Sequence, residues 1–209
     1  LHTLINRYPQ LSVMRETIER AYAVLAQSYQ NGGKLLMCGN GGSACDCEHI
    51  AGELMKGYLL RRPLPPAEQA SLAGLGEEGQ ALAGKLQRAL PAIVLTGMIG
   101  LSTAFNNDVD PHMTYAQQAY SYAGPQDVLL GISTSGNAEN ICLAALAAKC
   151  RGAKIIGLTG ASGGKLAPLC DVLLAVPETE TFLVQELHLP VYHCLCAMLE
   201  EALFGEAEA

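Results

Sequence analysis

Residues 35–54 read LLMCGNGGSACDCEHIAGEL, which is an apolar run, a glycine-rich turn and a helical pattern that carries His49 and Glu53 four residues apart. Because glycine permits close backbone approach, we expect the amides of residues 42–44 to face an anion at the helix N-terminus, with the Ser43 hydroxyl beside them. Helical spacing places His49 and Glu53 on one face. The stretch therefore predicts a phosphate site that adjoins acid–base chemistry.

Five short apolar runs predict β-strands, at residues 34–38, 92–96, 127–132, 154–158 and 171–176. Helical patterns lie between most of them, at residues 43–55, 137–150 and 165–169, with a pair within 101–122. Continuous apolar strands that alternate with helices indicate a sheet buried on both faces, so we predict an α/β fold with three layers and a doubly wound, five-stranded parallel sheet. Long helices flank it: one carries apolar residues at helical spacing from Leu11 to Tyr29, and the last, at 181–204, is interrupted by Pro190.

The composition of the chain excludes several classes of function. The chain has 209 residues, 50% of them hydrophobic, which suits a single domain over residues 1–209 with an ample core. With 13 basic and 20 acidic residues the net charge is −7, which argues against a nucleic-acid ligand. No uninterrupted apolar run approaches the roughly 18 residues of a membrane span, and we expect a cytoplasmic protein.

Eight cysteines lie mostly within predicted strands and helices and lack CxxC spacing, which favours a reducing compartment over a disulfide scaffold. Two CxC pairs, Cys45 with Cys47 and Cys194 with Cys196, allow a zinc interpretation. Residues two apart on a helix point in divergent directions, so we favour small buried hydrophobic side chains at these positions.

Residues 61–90 interrupt the pattern with a proline-rich turn and one or two short alanine-rich helices, which we interpret as a helical insertion. It forms either a surface cap or a lid over the site. Lys56, Arg61 or Arg62 is a candidate to supply positive charge near a substrate.

A second glycine- and hydroxyl-rich loop, GISTSGN at residues 131–137, ends the third predicted strand, with Asn137 as the expected N-cap of the next helix. Two such loops at the carboxyl edge of one parallel sheet favour a terminal phosphate monoester as ligand. Gly39 and Gly41 also fit part of a dinucleotide fingerprint. That motif needs a second strand ending in an acidic residue about 20 residues further on, and the next strand begins only near residue 92.

The segments CGNGGSACDCEHIAGEL, PQDVLLGISTSGN, IIGLTGASGGKLA and VQELHLPVYH together resemble the sugar isomerase (SIS) domain, and specifically its phosphoheptose isomerase group. The resemblance covers nearly the whole chain except residues 61–90. It implies the SIS fold and an isomerase that converts sedoheptulose 7-phosphate to glycero-manno-heptose 7-phosphate through an enediol. The specific signal is His49-x3-Glu53 combined with Gln185-x7-His193.

The resemblance also implies roles for individual residues. Glu53 and His193 would be the catalytic acid and base, and a zinc ion would be held by His49, Glu53, Gln185 and His193. Substrate-binding positions would be Asn40, Gly41, Gly42, Ser43, Asp108, Ser133, Thr134, Ser135, Asn137 and Gln185. The remaining nearby histidines, His112 and His188, are expected to be structural.

Gln185 and His193 are eight residues apart, about 12 Å along a straight helix, which strains their convergence on one metal ion. Either a kink at Pro190 shortens the gap, or the two residues serve sites of different subunits. The resemblance to the phosphoheptose isomerase group, whose members are tetrameric, implies a homotetramer, and we predict that its site lies at a subunit interface.

The chain departs from the family at Gly57, where many members have arginine, and at Ala138, where a serine is usual. Phe182 and Leu183 also replace a more polar pair. These departures leave the sugar's chain length open.

Two rival functions remain. A non-catalytic SIS protein of the replication-initiator-associated type would bind a protein partner, but the presence of His193 favours an enzyme. A sugar-phosphate-sensing regulator would need a helix-turn-helix module, for which the segment before Lys34 is too short.

Overall fold

The computed structural model describes residues 1–205. Five strands form one sheet: β1 (Leu35–Gly39), β2 (Ala92–Val94), β3 (Val128–Ser133), β4 (Lys154–Thr159) and β5 (Val172–Ala175). All neighbouring strands are parallel, and their order is β2-β1-β3-β4-β5. The predicted doubly wound α/β fold is confirmed.

Helices cover both faces of the sheet: α1 (His2–Arg7), α2 (Arg15–Gln30), α3 (Gly42–Met55), α4 (Pro66–Ala73), α5 (Glu77–Ala83), α6 (Ile99–Asp108), α7 (Thr114–Tyr122), α8 (Glu139–Cys150) and α9 (Thr181–Phe204). Successive β1 side chains alternate between two apolar cores. Leu35 and Met37 pack with α2, α3 and α9, whereas Leu36 and Cys38 pack with α7 and α8. This alternation explains why the strand sequence is apolar throughout.

The prediction of the first long helix is wrong about where that helix begins. Instead of one helix from residue 11, a 3₁₀ turn occupies Pro9–Met14 and α2 begins at Arg15. Pro9 lies at the beginning of that turn, where its missing N–H costs no hydrogen bond. Leu11 remains fully buried, so the apolar periodicity marked the core correctly although the helix type differs.

The last helix, α9, is continuous through Pro190 and is therefore not interrupted there. By length and composition it passes the test for a membrane span, although no uninterrupted apolar run of that length exists in the sequence. Core helices of soluble proteins meet the same criterion. Here α9 packs against α2 and α3.

The predicted short helices of residues 61–90 are present as α4 and α5, which pack on each other. The two ends of the insertion are held together by a hydrogen bond from Arg88 N to Arg62 O at 2.8 Å and by an isolated antiparallel β-bridge between Pro63 and Gln87. Leu90 N donates to Leu54 O at 3.0 Å, which ties the end of this segment to the last turn of α3. Its role as a lid stays a prediction.

Candidate active site

The first loop joins β1 to α3. Gly41 has a φ of 55°, a left-handed conformation that favours glycine, and it precedes α3 without a side-chain cap. The amides of Ser43 and Ala44 donate to the carbonyl oxygens of Asn40 and Gly41, at 3.1 and 3.0 Å. The turn therefore uses two of the three amides that the sequence assigns to an anion. The Ser43 side chain is buried beside them.

The second loop follows β3. Ser133 is buried, and Ser135 is exposed. Asn137 is not the N-cap of α8: that position is Ala138, which offers no side-chain acceptor. Asn137 instead donates to Ser135 O at 3.0 Å and accepts from Lys165 N at 3.1 Å, so its side chain braces two loops.

A pair of amide side chains joins the two loops. Asn40 Nδ2 donates to Asn140 Oδ1 at 3.0 Å, and Asn140 Nδ2 donates back to Asn40 Oδ1 at 2.9 Å. Gly39 and Ile132 are register partners on adjacent strands, which is why the loops after them meet. The two loops therefore lie next to each other, as expected, and the Asn40 side chain helps to hold them together.

Three predicted functional side chains meet beyond the first loop. His49 Nε2 lies 3.3 Å from Glu53 Oε1 and 3.4 Å from His193 Nε2. Helix α3 supplies the first two residues and α9 supplies the third, all within one chain. The Glu53 side chain is 15% exposed, so its carboxylate is largely shielded from solvent.

A tyrosine and an aspartate orient His49 from behind. The buried Tyr192 hydroxyl lies 3.1 Å from Asp46 Oδ1 and 3.1 Å from His49 Nδ1. An ionised aspartate only accepts, so the single hydroxyl proton goes to Asp46, and His49 Nδ1–H donates to the tyrosine oxygen. In the neutral imidazole this arrangement leaves the lone pair on Nε2, which faces Glu53 and His193.

Burial shifts the acidity of these groups. It lowers the pKa of His193, and the neighbouring His49 lowers it further, against opposing effects of Glu53 and Asp46. The imidazole of His193 is therefore neutral at neutral pH, as a general base requires. Burial raises the pKa of Asp46, partly offset by the Tyr192 hydrogen bond, and burial also raises the pKa of Tyr192.

Gln185 and His193 reach different parts of α3. A Cβ placed on Gly42 would lie 2.8 Å from Gln185 Nε2, so Gln185 covers the first loop, while His193 meets His49 two turns further along. Neither the shortened gap nor the two-subunit alternative is needed for these contacts. Asp108 is exposed at the end of α6 and accepts from Asn107 at 2.7 Å.

No group of three or more His, Cys, Asp or Glu side chains in residues 1–205 is arranged to hold a metal ion. His49 pairs separately with Glu53 and with His193. The CxC pairs form no such group in this part of the chain. The prediction of buried side chains is confirmed for Cys47 and Cys196 and is wrong for Cys45, which is exposed, while Cys194 is partly buried.

Sequence reasoning missed four polar residues around the site: Asp46, Tyr58, Asn140 and Tyr192. Asp46 precedes His49 by three residues and thus shares its helix face, a spacing that identifies it as a neighbour. The ring of Tyr58 packs 5.8 Å from that of His193. Tyr58, Asn140 and Tyr192 find their partners across the fold, so no local spacing signals them.

Two polar loops at the carboxyl edge of a parallel α/β sheet, with a carboxylate and two imidazoles beyond, define a sugar-phosphate-binding protein of the SIS type. The profile of the SIS domain family matches residues 9–75 and 77–160. The chain belongs to the SIS domain family.

Within the family, the similarity is to phosphoheptose isomerases. The chain is 38% identical over 201 residues to "Phosphoheptose isomerase" of Rhodospirillum rubrum, covering 96% of this chain and 94% of that protein. The protein of the same name from Maridesulfovibrio salexigens is 38% identical over 209 residues, covering 99% and 87%. The solved phosphoheptose isomerase GmhA from Neisseria gonorrhoeae superposes with a TM-score of 0.75 at 31% identity, covering 96% and 94%.

Proposed function

We propose that this protein is an aldose–ketose isomerase that interconverts sedoheptulose 7-phosphate and glycero-manno-heptose 7-phosphate. One observation carries the proposal: His193, from the far end of the chain, lies 3.4 Å from His49, which together with Glu53 follows the first phosphate loop on α3. Similarity to phosphoheptose isomerases over 96% of the chain supports the same substrate class.

The phosphate binds between the two strand-end loops, where Ser43, Ser133, Thr134 and Ser135 offer hydroxyls. Isomerisation removes a proton from carbon 1 of the ketose and delivers one to carbon 2 through a cis-enediol. When its lone pair is not bound to a metal ion, His193, with its lowered pKa, takes the proton from carbon 1 as the neutral imidazole and returns it to carbon 2 as the imidazolium. Glu53 serves as its partner in the acid–base pair, shielded from bulk water by its partial burial.

We also propose that His49, Glu53 and His193 bind zinc once Glu53 and His193 draw closer together around His49, since the three side chains as they stand do not form a metal-holding group. Gln185, the expected fourth ligand, would also have to leave the first loop, two turns of α3 away. Nitrogen and carboxylate ligands suit zinc, and ligands about 2.1 Å from a tetrahedral ion lie about 3.4 Å apart, close to the 3.3 and 3.4 Å distances at His49. In addition, the His49 Nε2 lone pair faces a carboxylate oxygen, an arrangement that a cation or a proton between them stabilises. When bound, the ion would supply charge stabilisation to the enediolate oxygens.

The activity test incubates the purified protein, with and without zinc, with ketose phosphates of five to seven carbons and measures aldose phosphate. Glu53→Gln should abolish turnover, whereas Glu48→Gln, an exposed carboxylate on the same helix, should not. Failure of every substrate to turn over, with no effect of Glu53→Gln, would remove the isomerase proposal.

Metal content is tested by elemental analysis of wild type, His49→Ala and the control His112→Ala. We expect zinc to fall in the first variant alone. Equal zinc in all three proteins would exclude His49 as a ligand.

We propose a homotetramer located in the cytoplasm. Support for assembly comes from a cavity of about 790 Å³ that reaches from α1 to His193 and is lined by Leu4, Tyr22, Tyr58, Leu189 and Met198. Light scattering coupled to size exclusion tests it: a fully active monomer would contradict the tetramer. The eight free cysteines support a reducing compartment.

A further inference from the structure

Arg62 and Glu200 form a buried ion pair at the far end of α3 from the phosphate loops. Arg62 Nε lies 2.7 Å from Glu200 Oε1, and the two side chains are 0% and 1% exposed. The sequence offered Arg62 as a source of charge for the substrate. Its burial excludes that role, because the guanidinium cannot reach a ligand in the site.

The pair connects three segments of the chain. Glu200 on α9 accepts hydrogen bonds from the amides of Tyr58, Leu59 and Leu60, at 2.8, 2.6 and 3.0 Å. These bonds and Arg62 outweigh the effect of burial and hold the pKa of Glu200 below its usual range. An ionised Glu200 therefore anchors the segment that follows α3.

Arg62 also binds the last turn of α3 itself. Its guanidinium donates to Leu54 O at 2.7 Å and to Glu53 O at 3.1 Å. Carbonyl groups in the last turn of a helix lack intrahelical partners, and a cation there also favours the helix dipole. Arg62 thus fixes the backbone of Glu53.

The same pair fixes the partner of Glu53. Glu200 follows His193 by seven residues, two helical turns, so both lie on one side of α9. Tyr58, whose amide binds Glu200, packs its ring 5.8 Å from the ring of His193.

We infer that Arg62 and Glu200 are positioning residues that hold Glu53 on α3 and His193 on α9 in register for catalysis. The inference rests on the proposed isomerase function. A buried ion pair is often no more stabilising than an apolar pair of similar volume, so stability alone is a poor reason for its presence. Positioning explains why both partners contact the segments that carry the acid and the base.

The test compares Arg62→Lys with Arg88→Lys. Both guanidinium groups lie over the Phe204 ring, at 4.5 and 4.7 Å, but Arg62 is the one that binds Leu54 O and Glu53 O. A lysine cannot reproduce the bidentate geometry. For Arg62→Lys with sedoheptulose 7-phosphate we expect kcat to fall about 10- to 100-fold while KM changes less than about threefold, because the phosphate loops are untouched.

Arg88→Lys should retain wild-type kcat. Assays are run well below the unfolding temperature of each variant, with the folded fraction checked by circular dichroism. Equal kcat in the two variants, or a loss that merely follows the folded fraction, overturns the inference. If Arg62→Lys does not fold, Glu200→Gln, which keeps the size and one acceptor, is subject to the same criteria.

Crystal structures separate this inference from the proposed function. If the wild type has no isomerase activity, the function fails, yet the position of the Glu53 carboxylate relative to His193 still tests the pair. A displacement of about 1 Å in Arg62→Lys supports positioning, since such a shift is enough to impair catalysis. An unmoved carboxylate overturns it.

Discussion

Replacing Tyr192 with phenylalanine removes one oxygen atom that contacts two site residues. The hydroxyl lies 3.1 Å from both Asp46 Oδ1 and His49 Nδ1. Without it, His49 loses the acceptor that selects its tautomer, and its ring is free to rotate. The Asp46 carboxylate loses a hydrogen bond that now lowers its pKa.

The cost in stability follows from those contacts. A half-buried carboxylate that loses one donor is partly rehydrated, so we expect the free energy of unfolding to fall by about 1–2 kcal/mol. For a chain of this size that corresponds to a lower Tm by roughly 2–8 °C. Most of the protein therefore remains folded at room temperature.

The effect on catalysis should be larger. Partners of metal-binding or catalytic histidines typically contribute 10- to 100-fold, so we expect Tyr192→Phe to lower kcat by about that factor, and to lower zinc affinity if His49 binds the ion. KM should change little, because the Tyr192 hydroxyl contacts Asp46 and His49 and not the two loops that we propose bind the phosphate. Steady-state kinetics with sedoheptulose 7-phosphate and zinc titration measure both effects.

Tyr115→Phe is the matched control. Its hydroxyl donates to Gly39 O at 3.0 Å, at the end of β1 just before the first loop, and forms no hydrogen bond with His49. We expect this variant to affect KM more than kcat. If Tyr192→Phe keeps kcat within about twofold of wild type, the tautomer argument is refuted.

Two further predictions concern the first loop and the core. In Gly42→Ala the new methyl group would lie 2.8 Å from Gln185 Nε2, so kinetics should show displaced Gln185 as a higher KM, whereas Gly52→Ala, with open space on the same helix, should leave the kinetics unchanged. Burial lowers the pKa of the fully buried His188 from 6.5 to about 4, so the unfolded chain takes up a proton first as pH falls. Stability should then decline from about pH 6.5 to pH 4 by up to about 3 kcal/mol, and His188→Gln should remove that part of the slope in urea unfolding.

The sequence predicted what depends on local spacing. Strand positions, the two loops and the i,i+4 pair of His49 and Glu53 follow from periodicity that the backbone geometry imposes. The approach of His193 to His49 was expected from family resemblance alone, because the contact joins residues 144 positions apart.

The rest depends on tertiary contacts that no spacing encodes. Asparagine is a common N-cap residue, but the Asn137 side chain accepts a hydrogen bond from Lys165 N, in a loop that lies nearby only in the folded chain. Arginine usually lies at the surface, and the burial of Arg62 depends on its ion pair with Glu200, 138 positions away. In both cases the hydrogen-bond partner of the polar side chain is determined by proximity in the folded chain.

Ala138 offers a direct test of how far this chain departs from its relatives. It is the N-cap of α8, with extended backbone geometry and no side-chain acceptor for the first helical amides. Serine at an N-cap stabilises a helix by about 0.5–2 kcal/mol relative to alanine, so Ala138→Ser should raise the free energy of unfolding. The same hydroxyl would lie beside the second loop that we propose binds phosphate, where family resemblance predicts a serine. If it binds phosphate, KM for the seven-carbon substrate should fall as well. Higher stability with an unchanged KM would mean that the hydroxyl is used for capping alone, and that this chain holds the phosphate adequately without it.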